Sequence, residues 1–467
     1  MKYIWSRTAL GLIGVLLLIS SSNINWGKEH WRTVMQADAK GYYAYLPAIF
    51  IYHDPNIGFF DQIEQETYYN PDLFYDYRAA HNGRTIPKYF VGTAVLQAPF
   101  FLAAHAFTSL TGGDSDGYSK PYVVAINLAA IAWVLLGCWA LLKLLASYGV
   151  RDLHMAFTLL AFTFGTNLFY YGVVAPGMSH VYSFGLISLF LWKGRQVWLG
   201  DGTRELVVLA VLLGLIVLVR PVNGMVVFAL AVLMPEGNKG RALADLIRGQ
   251  RFSVLAVAAL IALAIPLLQL VYYKWATGSW LVYSYGEEGF KWTSPALFDF
   301  LFSYKKGAFV YTPLLLLSMF GLVPLFRSDR LAALAWGVFF VLLVYVLSSW
   351  WNWWYGGSFG SRVLVEFLGL FALLFGLLLA RSRSVVRRAV ITLTLLLTVL
   401  CQVQTYQARY YQIHWEDMDQ ERYWKVFLRV DQLGCLSPNA ARTKARPVQG
   451  RPSGRTAGHS PKAHVLC

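Results

Sequence analysis

The sequence predicts an all-α polytopic membrane protein, with about 10–12 transmembrane helices and a large first extracytoplasmic loop containing interfacial helices. Three observations predict this class. Hydrophobic residues make up 57% of the chain and charged residues 14%, with a mean hydropathy of +0.47, against a charged fraction of about 25% in soluble domains. Segments such as 8–19, 122–142, 252–271, 331–347 and 389–403 carry almost no charge over lengths close to the ~20 residues that cross a ~30 Å hydrocarbon core. In lipid such segments must satisfy their own backbone hydrogen bonds, so they read as helices. Basic residues crowd the short gaps: Arg381, Arg383, Arg387 and Arg388 in one, Lys239, Arg241, Arg248 and Arg251 in another, Arg327 and Arg330 in a third. That bias marks cytoplasmic loops.

The first element carries Lys2 and Arg7 ahead of an apolar run that ends at Ser20, Ser21 and Ser22. This also resembles a signal peptide, but an uncleaved first helix is the favoured expectation. Both readings deliver residues 23–90 to the far side of the membrane. Counting back from the three basic loops, 252–272, 309–326, 331–349, 362–380 and 389–405 alternate across the bilayer, so that 274–307 and 350–361 face outward. The run 206–234 is too long for one crossing and is broken at Arg220-Pro221-Val222-Asn223-Gly224, which predicts two short helices meeting near a membrane face. One conflict remains. With a single crossing at 91–110, counting from the N-terminus places 111–120 inside, while counting back places it outside. The segment between 41 and 110 expected to lie in the interface or re-enter is the short, Tyr-rich 42–52.

The expected organisation is a transmembrane domain over 1–411 and an extramembrane tail over 412–467. From about residue 433 the tail mixes Pro, Gly, Arg and Lys without apolar periodicity, the composition of disorder. The net charge of +15 is spread over loops and tail, so nucleic acid is not the expected partner. Cys138, Cys401, Cys435 and Cys467 lack CxxC spacing, so neither a zinc site nor a disulfide framework is indicated. No internal repeat is evident, unlike many secondary transporters.

Candidate site residues concentrate on the outer face. The first loop combines Tyr42, Tyr43, Tyr45, Tyr68, Tyr69, Tyr75 and Tyr77 with Asp38, Asp54, Asp61, Glu64, Glu66, Asp72 and Asp76. Aromatic faces beside carboxylates suit sugars, which offer C–H faces for packing and hydroxyls for hydrogen bonds. The bland alternative is an aromatic belt with solvated acids. Asp38 precedes the Gly41-Tyr42-Tyr43-Ala44-Tyr45-Leu46-Pro47 segment, where it is either a general base on an acceptor hydroxyl or a helix N-cap. Lys88, Arg220, Arg362 and His180, near membrane faces, are either phosphate ligands or snorkelling anchors. Arg362 has an expected structural partner in Glu366, one α-helical turn on. The stretch from Trp350 to Arg362 holds four tryptophans and three glycines, and a plain aromatic belt does not need the glycines. Trp351 and Trp354 are its candidate sugar contacts. Asp114 and Asp116 form a weak DxD pattern better read as a polar turn.

The chain resembles the GT-C superfamily of membrane glycosyltransferases, in particular bacterial relatives of protein O-mannosyltransferases and of the lipid A aminoarabinose transferase. The resemblance runs over most of residues 1 to about 411. It is carried by a first helix, Gln36-Ala37-Asp38 early in the outer loop, Lys88-Tyr89-Phe90-Val91-Gly92, Pro176-Gly177-Met178-Ser179-His180, the Arg220-Pro221 break and the Trp-Gly loop ending in Arg362. It implies a GT-C-like bundle in a bacterial inner membrane, moving a hexose or pentose from a polyprenyl-phosphate donor to a lipid, glycan or protein hydroxyl in the cell envelope. Asp38 is then the catalytic carboxylate. Lys88 matches a lysine that contacts the donor phosphate, although the Lys-Pro-Pro common among relatives is here Lys-Tyr-Phe. With lipid phosphate as leaving group no nucleotide is required, and a divalent metal is compatible but not indicated. The rival expectations are a transporter or flippase of a lipid-linked glycan, and a glycan ligase or polymerase.

Overall fold

The computed structural model describes residues 3–71, 73–200, 202–237, 239–249 and 252–430; the expected disorder from about 433 lies outside them. Helix α1 (Ile4–Ser21) leads through a π-helical turn into the first loop, which holds α2 (Asp38–Tyr43), α3 (Tyr45–Phe50) and an antiparallel hairpin of β1 (Arg78–His81) and β2 (Arg84–Pro87). Then follow α4 (Gly92–Thr111), α5 (Lys120–Ser147), α6 (Asp152–Phe164), α7 (Ser179–Trp198) and α8 (Thr203–Val219). Arg220 starts a 3₁₀ stretch, Pro221–Ala231, as the expected break requires, since Pro221 donates no hydrogen bond. The second half contains α9 (Lys239–Gly249), α10 (Phe252–Ala264), α11 (Leu267–Thr277), α12 (Leu297–Phe302), α13 (Ala308–Tyr311), α14 (Pro313–Met319), α15 (Leu322–Ser328), α16 (Arg330–Ser348), α17 (Leu368–Arg381), α18 (Ser384–Arg409) and α19 (Gln420–Val426).

Among the described residues, seven helical stretches are long and apolar enough to cross a membrane, with shorter apolar helices at Asp152–Phe164, Pro221–Ala231 and Pro313–Ser328. The chain is an integral membrane protein. Helix α17 is the axis, buried continuously from Leu368 to Leu379. Small residues let its neighbours approach closely, as membrane helices require in place of a hydrophobic drive: a Cβ on Gly321 would meet the Leu374 backbone at 2.1 Å. Helices α10 and α18 instead expose Leu260, Leu263, Leu396 and Val399, a face suited to acyl chains.

Two expectations need correction. The crossing foreseen at 309–326 is three short helices, broken where Pro313 and Gly321 interrupt it. The outer loop foreseen from 274 begins after α11, where Gly278 closes the helix at φ 78°.

Contacts also remove the conflict at 111–120. Asp116 accepts from the Tyr68 hydroxyl at 2.5 Å, Tyr52 donates to the Asp116 carbonyl and Tyr43 to the Gly117 carbonyl. The turn before α5 therefore lies with the first loop. The start of α4 packs against the end of α8, with Gly92 on the backbone of Leu218 and Val219, and follows directly from the β-hairpin. Both ends of α4 thus lie on the same side as the first loop, and α2 and α3, six residues each, are too short to cross. At the opposite face Asp152 accepts from Ser6 and Trp5, Lys239 pairs with Asp329, and Arg381 with Glu236. These contacts gather the basic ends on one side.

Candidate active site

Asp38 owes its position to an unusual backbone. Ala37, a non-glycine residue at φ 47° and ψ −125°, turns the chain so that α2 begins on the carboxylate, and such strain is typical of functional sites. Asp38 Oδ2 accepts from Arg362 Nη2 at 2.6 Å and Oδ1 from the Tyr89 hydroxyl at 2.6 Å. Tyr89 is itself bonded to the Tyr75 hydroxyl at 2.7 Å. Burial pushes the Asp38 carboxyl up, but the Arg362 charge together with the hydrogen bonds from Tyr89 and Arg362 outweighs it and holds the group below its ordinary value of 3.8. It is an ionised carboxylate at neutral pH.

A second ion pair lies alongside. Glu366 Oε1 accepts from Arg220 Nη1 at 2.7 Å and lies 2.7 Å from His180 Nδ1. A carboxylate only accepts, so the Nδ1 of His180 carries the proton. This corrects the expected Arg362–Glu366 pair. Residues 362–367 form a 3₁₀ helix, whose three residues per turn set i and i+3 in line and turn i+4 away. Arg362 is released toward Asp38, and Glu366 toward α7 and the end of α8. Among the described residues, Arg362 Nε, Ser361 Oγ, His180 Nε2 and Glu366 Oε2 of this cluster are buried with polar capacity not used within the protein.

Tyr42 packs its ring 4.8 Å from that of Tyr89, which in turn hydrogen-bonds Asp38. Tyr285, from the loop after α11, sets its ring 6.2 Å from that of Tyr89 and 5.8 Å from that of Trp350. Lys88 stands at the rim, its Nζ 2.5 Å from Glu288 Oε1. Lys306 is 2% exposed and donates to the Ser358 carbonyl, tying the Trp-Gly loop down beside Arg362. Burial, and then the Arg362 charge, lower its pKa to about 7.

Beside the cluster runs an apolar groove of about 560 Å³, lined by Phe90, Leu218, Pro221, Leu267, Leu270 and Leu281 among others. Leu218 and Pro221 flank Arg220, and Phe90 is two residues from Lys88. The groove is thus lined by close sequence neighbours of both cations, whose head groups are held by Glu366 and Glu288.

Asp38, Tyr42, His180, Arg220 and Arg362 are brought together, and Lys88 borders them. Three expected contacts are not. Tyr43 points its hydroxyl to Gly117, in a packed aromatic cluster with Phe101 and Tyr118. Trp354 lies under the Lys305 ammonium at 3.8 Å. Trp351 anchors through its backbone N–H to the Gly289 carbonyl at 2.9 Å and leaves its ring partly exposed. Sequence reasoning gave Tyr89 no role of its own and missed Tyr285, Glu288 and Lys306. No three His, Cys, Asp or Glu side chains lie together as metal ligands among the described residues, and Asp116 caps the turn before α5 through the Tyr118 and Ser119 N–H groups.

No family model matches the sequence, and no curated protein sequence does. In overall structure the chain is similar to the archaeal oligosaccharyltransferase AglB from Archaeoglobus fulgidus, determined with an inhibitory peptide and a dolichol-phosphate, at 11% identity and a TM-score of 0.47, covering 96% of this chain and 62% of that one. It is similar also to the apo form of the oligosaccharyltransferase from the same organism, at 12% identity and a TM-score of 0.49, with coverage of 96% and 62%. A third match, to that enzyme tethered to an acceptor peptide containing the NVT sequon, has 12% identity, a TM-score of 0.47 and coverage of 91% and 57%. The chain thus spans about three-fifths of the length of these proteins, and the identity is too low to carry any residue's role across.

Proposed function

We propose that the protein is a glycosyltransferase that moves a sugar from a polyprenyl-phosphate carrier to an acceptor hydroxyl on the extracytoplasmic face, with inversion at the anomeric carbon. The observation that carries this reading is the pair of buried carboxylate–arginine contacts, Asp38 with Arg362 and Glu366 with Arg220, set next to an apolar groove lined by Leu218, Pro221 and Phe90. The groove takes isoprenoid, the cations take phosphate, and the carboxylate faces the acceptor.

In the reaction the acceptor oxygen attacks the anomeric carbon as the bond from that carbon to the phosphate oxygen breaks. The acceptor proton passes to Asp38, and the electron pair leaves with the lipid phosphate. Arg220 and Arg362 stabilise the charge that grows on the departing phosphate, a contribution strongest where water is excluded. Asp38 is a weak base. That suffices when the proton leaves late, because the acceptor hydroxyl becomes strongly acidic as its oxygen bonds to carbon. Phosphate arriving at Arg362 would also loosen its grip on Asp38 and raise the carboxylate's basicity at the right moment.

The test is transfer of radiolabelled sugar from polyprenyl-phosphate donors by the purified full chain in proteoliposomes. Asp38→Asn should lower transfer by about 10²–10⁴-fold, the usual worth of a general base, while the unfolding temperature stays within a few degrees of wild type. A folded Asp38→Asn protein that transfers at the wild-type rate overturns the reading. So does a wild-type protein that moves labelled lipid between leaflets and transfers nothing.

A further inference from the structure

Among the cluster's cations, Lys88 is held differently from the two arginines. Arg362 and Arg220 pair with carboxylates that have a second partner each, Tyr89 for Asp38 and His180 for Glu366. Glu288 hydrogen-bonds through its carboxylate to Lys88 alone among the described residues, and the pair keeps 19% and 27% of its side-chain surface exposed. The acid comes from the outer loop after α11, and the turn that carries it is folded over the site. Ser284 Oγ donates to the Lys88 carbonyl at 2.6 Å. Tyr285 sets its ring 6.2 Å from Tyr89 and 5.8 Å from Trp350, with Lys88 Nζ 5.5 Å from its ring centre. Just before this turn, Leu281, Val282 and Tyr283 form a wall of the apolar groove. One short stretch of chain therefore both lines the groove and holds Lys88.

We propose that Glu288 is a displaceable stand-in for the lipid's phosphate, and that the 284–288 turn is a gate opened by phosphate-bearing lipid and not by the uncharged lipid. This rests on the reading of the groove as the donor site. The Lys88–Glu288 pair keeps part of its surface in water, which screens it, so an incoming phosphate, which brings charge-assisted hydrogen bonds of its own, can replace the carboxylate. A polyprenol would strip Lys88 of its acid and return no charge. The carboxylate thereby selects for the phosphate headgroup at the mouth of the groove, ahead of any contact with Asp38.

The experiment measures binding of a sugar-free polyprenyl monophosphate, and of the matching polyprenol, to the full chain in nanodiscs, read by tryptophan fluorescence and confirmed by calorimetry. Wild type should prefer the phosphate. Glu288→Gln should bind the phosphate lipid about three- to tenfold more tightly, because the closed form no longer taxes the affinity, and should bind polyprenol more readily than wild type does. Glu288→Ala should show the same gain. Glu287→Gln, which removes a neighbouring exposed charge of the same sign, should change neither affinity. Phosphate binding by Glu288→Gln that is equal to or weaker than wild type overturns the gate while leaving the donor site intact. If wild type itself shows no preference for phosphate over alcohol, the donor-site reading fails and the gate falls with it.

Discussion

Lys306 occupies an expensive place for an ammonium: it is 2% exposed, with the positive Arg362 nearby and the Ser358 carbonyl as its hydrogen-bond acceptor. Its pKa falls from 10.5 to about 7 through burial and then the Arg362 charge. The unfolded chain therefore holds the proton more tightly between about pH 7 and 10.5, and stability must rise with pH across that window. Below it the full cost of the buried charge is carried. Lys306→Met lacks this component, so the unfolding temperature of wild type minus that of the variant should increase by about 2–5 °C between pH 6 and pH 9. A flat difference would mean that Lys306 is solvated. The residues of the site show what a chain order can and cannot convey. Asp38, Arg220 and Arg362 were legible because charge beside apolar sequence is costly and needs a reason. Glu366 satisfies the same criterion, inside an apolar segment, yet the assumption of α-helical spacing assigned it to Arg362. Glu288 and Lys306 gave no local signal, since each acquires its meaning from a partner about 200 and 52 residues away.

At the scale of elements, the contact between α4 and α8 supports the site directly. A Cβ on Gly92 would lie 2.3 Å from the Val219 nitrogen and 2.5 Å from the Leu218 carbonyl oxygen, and backbone cannot move aside as a flexible side chain can. Gly92→Ala should therefore separate the helices at a cost of about 1–3 kcal/mol, lower the unfolding temperature and weaken lipid binding, because Arg220 follows Val219. Gly337, in α16, meets nothing within 4 Å, so Gly337→Ala should be neutral or slightly stabilising through helix propensity. Equal behaviour of the two variants in thermal unfolding would remove the packing argument. Most helices were legible from apolar run length, and the Arg220-Pro221 break from the missing proline donor. The division of 308–328 into three pieces was not, because Pro313 at a helix start and Pro324 inside one look alike in sequence. Nor was the role of Tyr43: on a six-residue helix the neighbours Tyr42 and Tyr43 point about 100° apart, one to Tyr89 and the other to Tyr118.

At the scale of the whole molecule the contacts make a claim about sidedness that hydropathy alone cannot make. Helix α4 passes as a membrane span by length and composition, but a helix that separated two compartments could not have its following turn hydrogen-bonded to Tyr43, Tyr52 and Tyr68 of the loop that precedes it. With both ends of α4 on the first loop's side, the alternation closes. The starts of α1 and α6 meet at Asp152, the ends of α15 and α17 meet where Arg381 donates to Ser328, and every strongly basic loop falls on that same face. Single cysteines test this in a background with Cys435 and Cys467 replaced by serine, the remaining Cys138 and Cys401 being buried. Asp114→Cys and Glu287→Cys should both react with a membrane-impermeant maleimide applied to intact cells. Arg383→Cys should react only after the membrane is opened. If Asp114→Cys labels together with Arg383→Cys, α4 crosses the bilayer, and the first loop cannot make the contacts that hold Asp38 against Arg362.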